Sequence, residues 1–276
     1  MRPTTGAAQT WSFAWLLLFC LAPAARTLGE EEPPFVRCVP PWFSDCVAYH
    51  DAFEGSLDQA DVNTEQIPVV RDARRGEVDA KLAPVVTPEH GLFGQGLFVQ
   101  DWRAPFMVRS PALSPHRPLT LSFWWALPQD LKVDGGYMLF EYTGGGYIGL
   151  FCRGKGEWCA LQRPAGVFQI YYFPGIQNVN GIYDYDLLAH QDLRAGVWHH
   201  SAVVSRQART AQVYTDGKLV FEVTTSGRDF TEQDALQSLA FGGPLYMDEL
   251  LILNRAVEGD MIADYVHGIE RLREYQ

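Results

Sequence analysis

The sequence predicts an all-β protein: two antiparallel sheets packed as a sandwich, with one short helix at the C-terminal end. Three observations carry that expectation. Apolar runs keep the two-residue period of strands and are broken repeatedly by turn residues. The chain holds 16 Phe, 12 Tyr and 8 Trp beside 25 Gly and 17 Pro, a mixture suited to many short strands and tight turns. Helical spacing occurs only near the end, so the crossover helices that parallel strands need are missing and parallel α/β is excluded. With 47% hydrophobic residues the chain can bury enough surface to offset its ordering entropy, which excludes bulk disorder. A net charge of −11 argues against nucleic acid as a partner, since that needs a basic face.

The first element is a leader. Arg2 precedes the uncharged apolar stretch Trp11 to Leu21, and Ala22-Pro23-Ala24 follows as a small-residue cleavage site. Residues 1–25 therefore read as a signal peptide, and the protein as secreted or extracytoplasmic. The rival reading is a buried N-terminal helix. The stretch is shorter than the roughly 20 apolar residues that span a bilayer, and no later segment reaches that length, so no transmembrane segment is expected. Residues 26–44, acidic and Pro-rich at Glu30 to Pro34, read as a flexible lead-in, and 45–276 as one folded domain. Loss of Cys20 with the leader leaves Cys38, Cys46, Cys152 and Cys159. An even set in an exported chain reads as disulfides. Three connectivities exist; sequence proximity favours Cys38–Cys46 and Cys152–Cys159. Neither pair has the spacing of a zinc site.

Strands follow in order. Leu119 to Trp125 places Leu119, Leu121, Phe123 and Trp125 on one face. Met138 to Tyr142 stops at Gly144-Gly145-Gly146, and Tyr147 to Phe151 continues beyond it. Val197 to Val204 reads as a strand buried on both faces. Ala211 to Val223 is a hairpin whose Asp216-Gly217 supplies the positive φ angles of its turn. Met261, Ile262, Tyr265, Ile269 and Leu272 recur at helical spacing, with acids early and Arg271 and Arg273 late.

Five segments stand in order along the chain: Phe93-Gly94-Gln95-Gly96-Leu97-Phe98, Leu119 to Trp125, Trp198-His199-His200-Ser201-Ala202-Val203-Val204, Tyr214 to Lys218, and Met247 to Ala256. Together they resemble the laminin-G-like, concanavalin A-like jelly rolls. The resemblance covers about residues 45–268 and implies a jelly-roll sandwich. It also implies a structural calcium ion near the sheet rim as a cofactor. Asp248 matches the family's Asp, and Asp51 falls where the terminal strands of the family pair, so these two are the candidate metal ligands. The other reading of Asp248 is a cap on backbone groups at a strand bend.

The fold does not name a function, because this superfamily hosts lectins, adhesion modules and hydrolases alike. Its retaining glycosidases set two Glu on one strand face, bringing the carboxyls to about 5–5.5 Å. No Glu-x-Asp-x(x)-Glu occurs here; Glu77-Val78-Asp79 lacks the second Glu, and Asp248 and Glu249 as strand neighbours should face oppositely. His199 and His200 should likewise point apart and cannot hold one ion together. The aromatic middle is the best binding candidate. Trp158 sits beside Cys159, and Tyr172, Tyr183, Asp184, Tyr185 and Asp186 offer rings for stacking and carboxylates for hydroxyls. Residues 177–186 read as a surface loop, and Asp184 and Asp186 share a face if that piece is extended. The functional expectation is a secreted, non-catalytic recognition module for a glycan or an extracellular protein. The alternatives are a glycoside-active enzyme with an unrecognised carboxylate pair and a structural cell-envelope protein.

Overall fold

A computed structural model describes residues 43, 45–54, 60–64, 66–67, 69–70, 80–101, 104–110, 117–129, 136–143, 148–153, 167–172, 182–186, 194–206, 210–224 and 237–274. The chain divides into two compact units, Met1–Asp45 and Cys46–Gln276, and the strands and helix named here all belong to the second. No helix among the described residues is long and apolar enough to cross a membrane.

Among the described residues, sixteen strands and a C-terminal α-helix order themselves as β1 (Val47–Asp51), β2 (Val62–Asn63), β3 (Val69–Val70), β4 (Val85–Thr87), β5 (Gly96–Val99), β6 (Phe106–Ser110), β7 (Leu119–Ala126), β8 (Gly136–Thr143), β9 (Ile148–Arg153), β10 (Val167–Tyr172), β11 (Ile182–Asp186), β12 (Trp198–Arg206), β13 (Thr210–Thr215), β14 (Lys218–Thr224), β15 (Gln237–Phe241), β16 (Leu245–Leu253) and α1 (Gly259–Glu274). Every pairing is antiparallel. One sheet runs β14-β13-β12-β7-β16-β1-β2; β5 joins it beside the first part of β16, and β4 beside β5. The other runs β11-β10-β9-β8-β15-β6-β3. The protein is thus an all-β, two-sheet sandwich with one terminal helix.

Alternation puts the core between the sheets. Leu121, Phe123 and Trp125 of β7 join Tyr49, Val203, Val213, Met247, Leu250 and Ile252 from their own sheet, and Val108, Leu239 and Phe241 from the other. The Phe123 and Phe241 rings meet edge-on at 5.1 Å across the gap. The opposite face of β7 is buried too, with Thr120, Ser122 and Trp124 all below 5% exposure. Helix α1 explains this. Its Ile262, Tyr265, Val266 and Ile269 are buried, and the Tyr265 ring lies 5.6 Å from His200 on the outer face of β12. The two-sided burial expected for β12 has the same cause. At the β13–β14 turn, Asp216 and Gly217 take φ of 47° and 74°. Gly217 also lies against α1, where a Cβ would come within 3.1 Å of Ala263 Cα.

Candidate functional site

The described side-chain chemistry gathers where β1 meets β16. Register pairs Asp51 with Leu250 and His50 with Leu251. Between Asp248 and Leu251 the pairing of β16 with β7 slips by one residue, and Glu249 takes φ of 50°, a region non-glycine residues seldom occupy. Met247 and Leu250 both belong to the core cluster, so the two acids lie together in the bulge between them. The opposite facing expected for Asp248 and Glu249 therefore does not hold: it presumes a regular strand, and the bulge removes the alternation.

Each acid has local work. Asp248 Oδ2 accepts the Leu92 and Phe93 amides at 2.7 and 3.4 Å, and its Oδ1 accepts the Glu249 amide at 2.8 Å. Asp51 Oδ1 accepts the Phe53 amide at 2.8 Å, and Oδ2 accepts the Tyr49 hydroxyl at 2.9 Å. Glu249 Oε2 lies 2.8 Å from His50 Nε2, both side chains buried, and Asp61 approaches the other ring nitrogen at 3.9 Å. Burial pushes the Asp51 carboxyl up to about 6, against the opposing pull of the bonds from Phe53 and Tyr49. Burial, and then the Asp51 charge, raise the Tyr49 hydroxyl above its ordinary range.

A calcium ion takes about 6–8 oxygen ligands. Asp51 and Asp248, the two acids expected to hold one, each accept protein N–H or O–H donors on both oxygens. Among the described residues no three His, Cys, Asp or Glu are grouped to hold a metal. Sequence reading missed His50 and Glu249. The available signal was an adjacent acid pair inside an apolar strand, which regular alternation does not accommodate.

The His pair divides as expected of strand neighbours. His199 lies 5.0 Å from the Trp125 ring, with Nδ1 3.1 Å from Asp216 Oδ2. His200 lies 5.2 Å from Trp124, on the helix side, with Nε2 2.8 Å from Ser122 Oγ. Among the described residues its Nδ1 finds no partner, and burial pushes the imidazole down to about 4, partly opposed by Asp216.

The aromatic candidates fall on β10 and β11. Tyr172 ends β10, opposite Ile148. Tyr183, Asp184, Tyr185 and Asp186 lie in β11, paired in turn with Ile170, Gln169, Phe168 and Val167. Residues 182–186 are thus a strand, not the end of a surface loop; their ladder to β10 satisfies the backbone groups of one edge, which a loop would leave to water. Trp158, Cys159 and Cys38 lie outside the described residues. Cys152 is in β9, and Cys46 is buried.

A laminin-G model of the concanavalin A-like lectin/glucanases superfamily matches residues 106–263. The chain belongs to that superfamily. Solved structures share its jelly-roll fold. Domain 4 of an extracellular arabinanase from Geobacillus stearothermophilus, solved with arabinotriose, aligns at TM-score 0.53 and 18% identity over 80% of this chain and 98% of that one. The receptor-binding domain of botulinum neurotoxin D aligns at 0.54 and 13%, over 81% of this chain and 53% of the toxin domain. That of the C/D mosaic serotype aligns at 0.52 and 13%, over 81% and 51%. This chain thus spans about half of each toxin domain. A search of curated protein sequences finds no match. At these identities the likeness is one of fold, and the fold alone leaves the ligand open.

Proposed function

We propose that this concanavalin A-like chain is an exported, non-catalytic recognition module for a glycan or an extracellular protein. Residues 1–25 serve as its leader, 26–44 as a lead-in and 45–276 as the binding domain. One observation supports the reading most. Strand β11 stands at the end of its sheet among the described residues and carries Tyr-Asp-Tyr-Asp at 183–186. An end strand offers backbone donors and acceptors, and this one adds rings and carboxylates in alternation. The acids of the β16 bulge lend support from the other side: they spend their oxygens on the fold, where a hydrolase would hold a carboxyl pair open to substrate. An aligned domain was solved with arabinotriose and others are receptor-binding domains, which makes glycans the first class to test.

The test is capture on a glycan array by secreted protein, beside the Tyr183→Ala and Tyr185→Ala variants. We expect one glycan class to be retained by the wild type and lost, at least tenfold, in a variant whose melting temperature is kept. Turnover of an array polysaccharide, or capture indifferent to both changes, would overturn the reading.

A further inference from the structure

The other sheet carries an aromatic row of its own. Register sets Val85 of β4 opposite Phe98 of β5, Phe98 opposite Tyr246 of β16, Tyr246 opposite Ala126 of β7, and Ala126 opposite Trp198 of β12. Residues directly opposite share a face, and this is the outer one: Leu97, Val99, Leu245, Met247 and Trp125, their strand neighbours, make the core. The row crosses four strand gaps, about 19 Å at the usual sheet spacing. It reaches water. Phe98, Tyr246 and Trp198 are half-buried and His90 is exposed, while Val85 is 41% exposed. Ala126, between Tyr246 and Trp198 in the register, is fully buried and contributes only a methyl.

Three of the rings, His90, Tyr246 and Phe98, are held against one another. His90 stacks on Tyr246 at 5.0 Å and 28°, and Phe98 meets Tyr246 at 4.9 Å. His90 Nδ1 lies 2.9 Å from the Pro88 carbonyl oxygen. A carbonyl only accepts, so Nδ1 carries the proton and Nε2 of the neutral ring keeps its lone pair. The loop bearing His90 is tied down by the Asp248 bonds to Leu92 and Phe93 and by the Gly91 amide on the Gly94 carbonyl. Among the described residues, the Tyr246 hydroxyl and the Trp198 indole N–H find no protein partner, yet neither is a buried orphan.

We infer that this row is a second binding platform, separate from the β11 strand, which stacks the rings of a neutral oligosaccharide. Sugar rings have an apolar C–H face and hydroxyl edges; the row offers flat rings together with an acceptor at His90, a donor at Trp198 and both at Tyr246. A protein partner fits worse, because a strip one residue wide falls short of the roughly 800 Å² per side that stable protein interfaces bury. Acidic sugars fit worse as well, since the chain carries −11 and exposed Glu89 adjoins His90. Fixed rings lose little freedom on binding.

Calorimetric titration of the full chain with arabinotriose, xylotriose, cellotriose and maltotriose tests this. At least one should bind. Affinity should fall tenfold or more in His90→Ala and Trp198→Ala and several-fold in Tyr246→Phe, and stay unchanged in Glu270→Gln, an exposed position on α1 outside both proposed sites. His90 is exposed and Tyr246→Phe keeps the ring, so these two decide the matter even where Trp198→Ala unfolds. The inference fails when none of the four sugars binds, when His90→Ala and Tyr246→Phe bind like wild type, or when only Tyr183→Ala loses affinity. That last result would leave the β11 reading standing alone.

Discussion

Asp248 shows how one carboxylate can serve a fold. It is fully buried, and it receives three backbone amides: two from the loop before β5 and one from the next residue of its own bulge. A charged acceptor suits that turn, because it makes hydrogen bonds roughly twice as strong as a neutral one does. Gly91 belongs to the same arrangement, since a Cβ there would sit 2.9 Å from Asp248 Oδ2 and 1.9 Å from the Gln95 carbonyl oxygen. Replacing Asp248 by Ala orphans those amides at about 1–3 kcal/mol each. We expect Asp248→Ala to lose about 3 kcal/mol or more in urea unfolding, and Asp248→Asn, which keeps one acceptor oxygen, to lose less. Equal stability of Asp248→Ala and wild type would show the loop to be held by something else.

At the scale of elements, α1 helps to bury the outer faces of β7 and β12 as well as their inner ones. It is fixed in two unequal ways. Arg206 of β12 forks onto Glu258 at 3.0 and 2.9 Å, but the two side chains are 34% and 67% exposed, where such pairs contribute at most about 1 kcal/mol. Tyr265 fills the space over His200, and removing a large buried ring typically costs about 3–5 kcal/mol. Arg206→Ala should therefore lower unfolding stability by less than about 1 kcal/mol and Tyr265→Ala by several times more; the reverse order would mean that charge, not packing, seats the helix. The helix and its partner strands were legible in the sequence, because 3.6-residue and two-residue spacing are direct images of burial. The bulge at Glu249 was not: its cause is a single left-handed residue, and glutamate carries no preference for that conformation. Strand β11 lies between these cases. Tyr-Asp-Tyr-Asp has the strand period, but Asn178, Asn180 and Gly181 before it look like turn residues and favour a loop. The outer aromatic row was hidden for a third reason. Val85, Phe98, Ala126, Trp198 and Tyr246 are scattered along the chain, and only the strand register brings them into line.

For the whole molecule, acid response follows from two buried groups working in opposite directions. Asp51 is raised from its ordinary value to about 6, so between about 4 and 6 the folded state holds a proton that the unfolded state has released. Its contribution therefore falls as pH rises through that window. His200 is lowered to about 4, so between about 4 and 6.5 it is the unfolded state that holds the extra proton. Its contribution rises with pH and is lost on acidification. At about 1.4 kcal/mol per pKa unit, each swing is on the order of 3 kcal/mol. The groups lie on different strands and share no partner: Asp51 bonds Tyr49 and Phe53, while His200 meets Ser122 and Trp124. Their effects should accordingly add. Over pH 4 to 6 the two slopes oppose each other in the wild type, so stability contributed by this pair changes little. Asp51→Asn removes one side of the balance, and stability should then climb as pH rises from 4 to 6.5. His200→Gln removes the other, and stability should decline from pH 4 to 6. Urea unfolding at half-unit pH steps reads both slopes directly. Parallel curves for the wild type and the two variants would mean that neither group changes its proton affinity on folding.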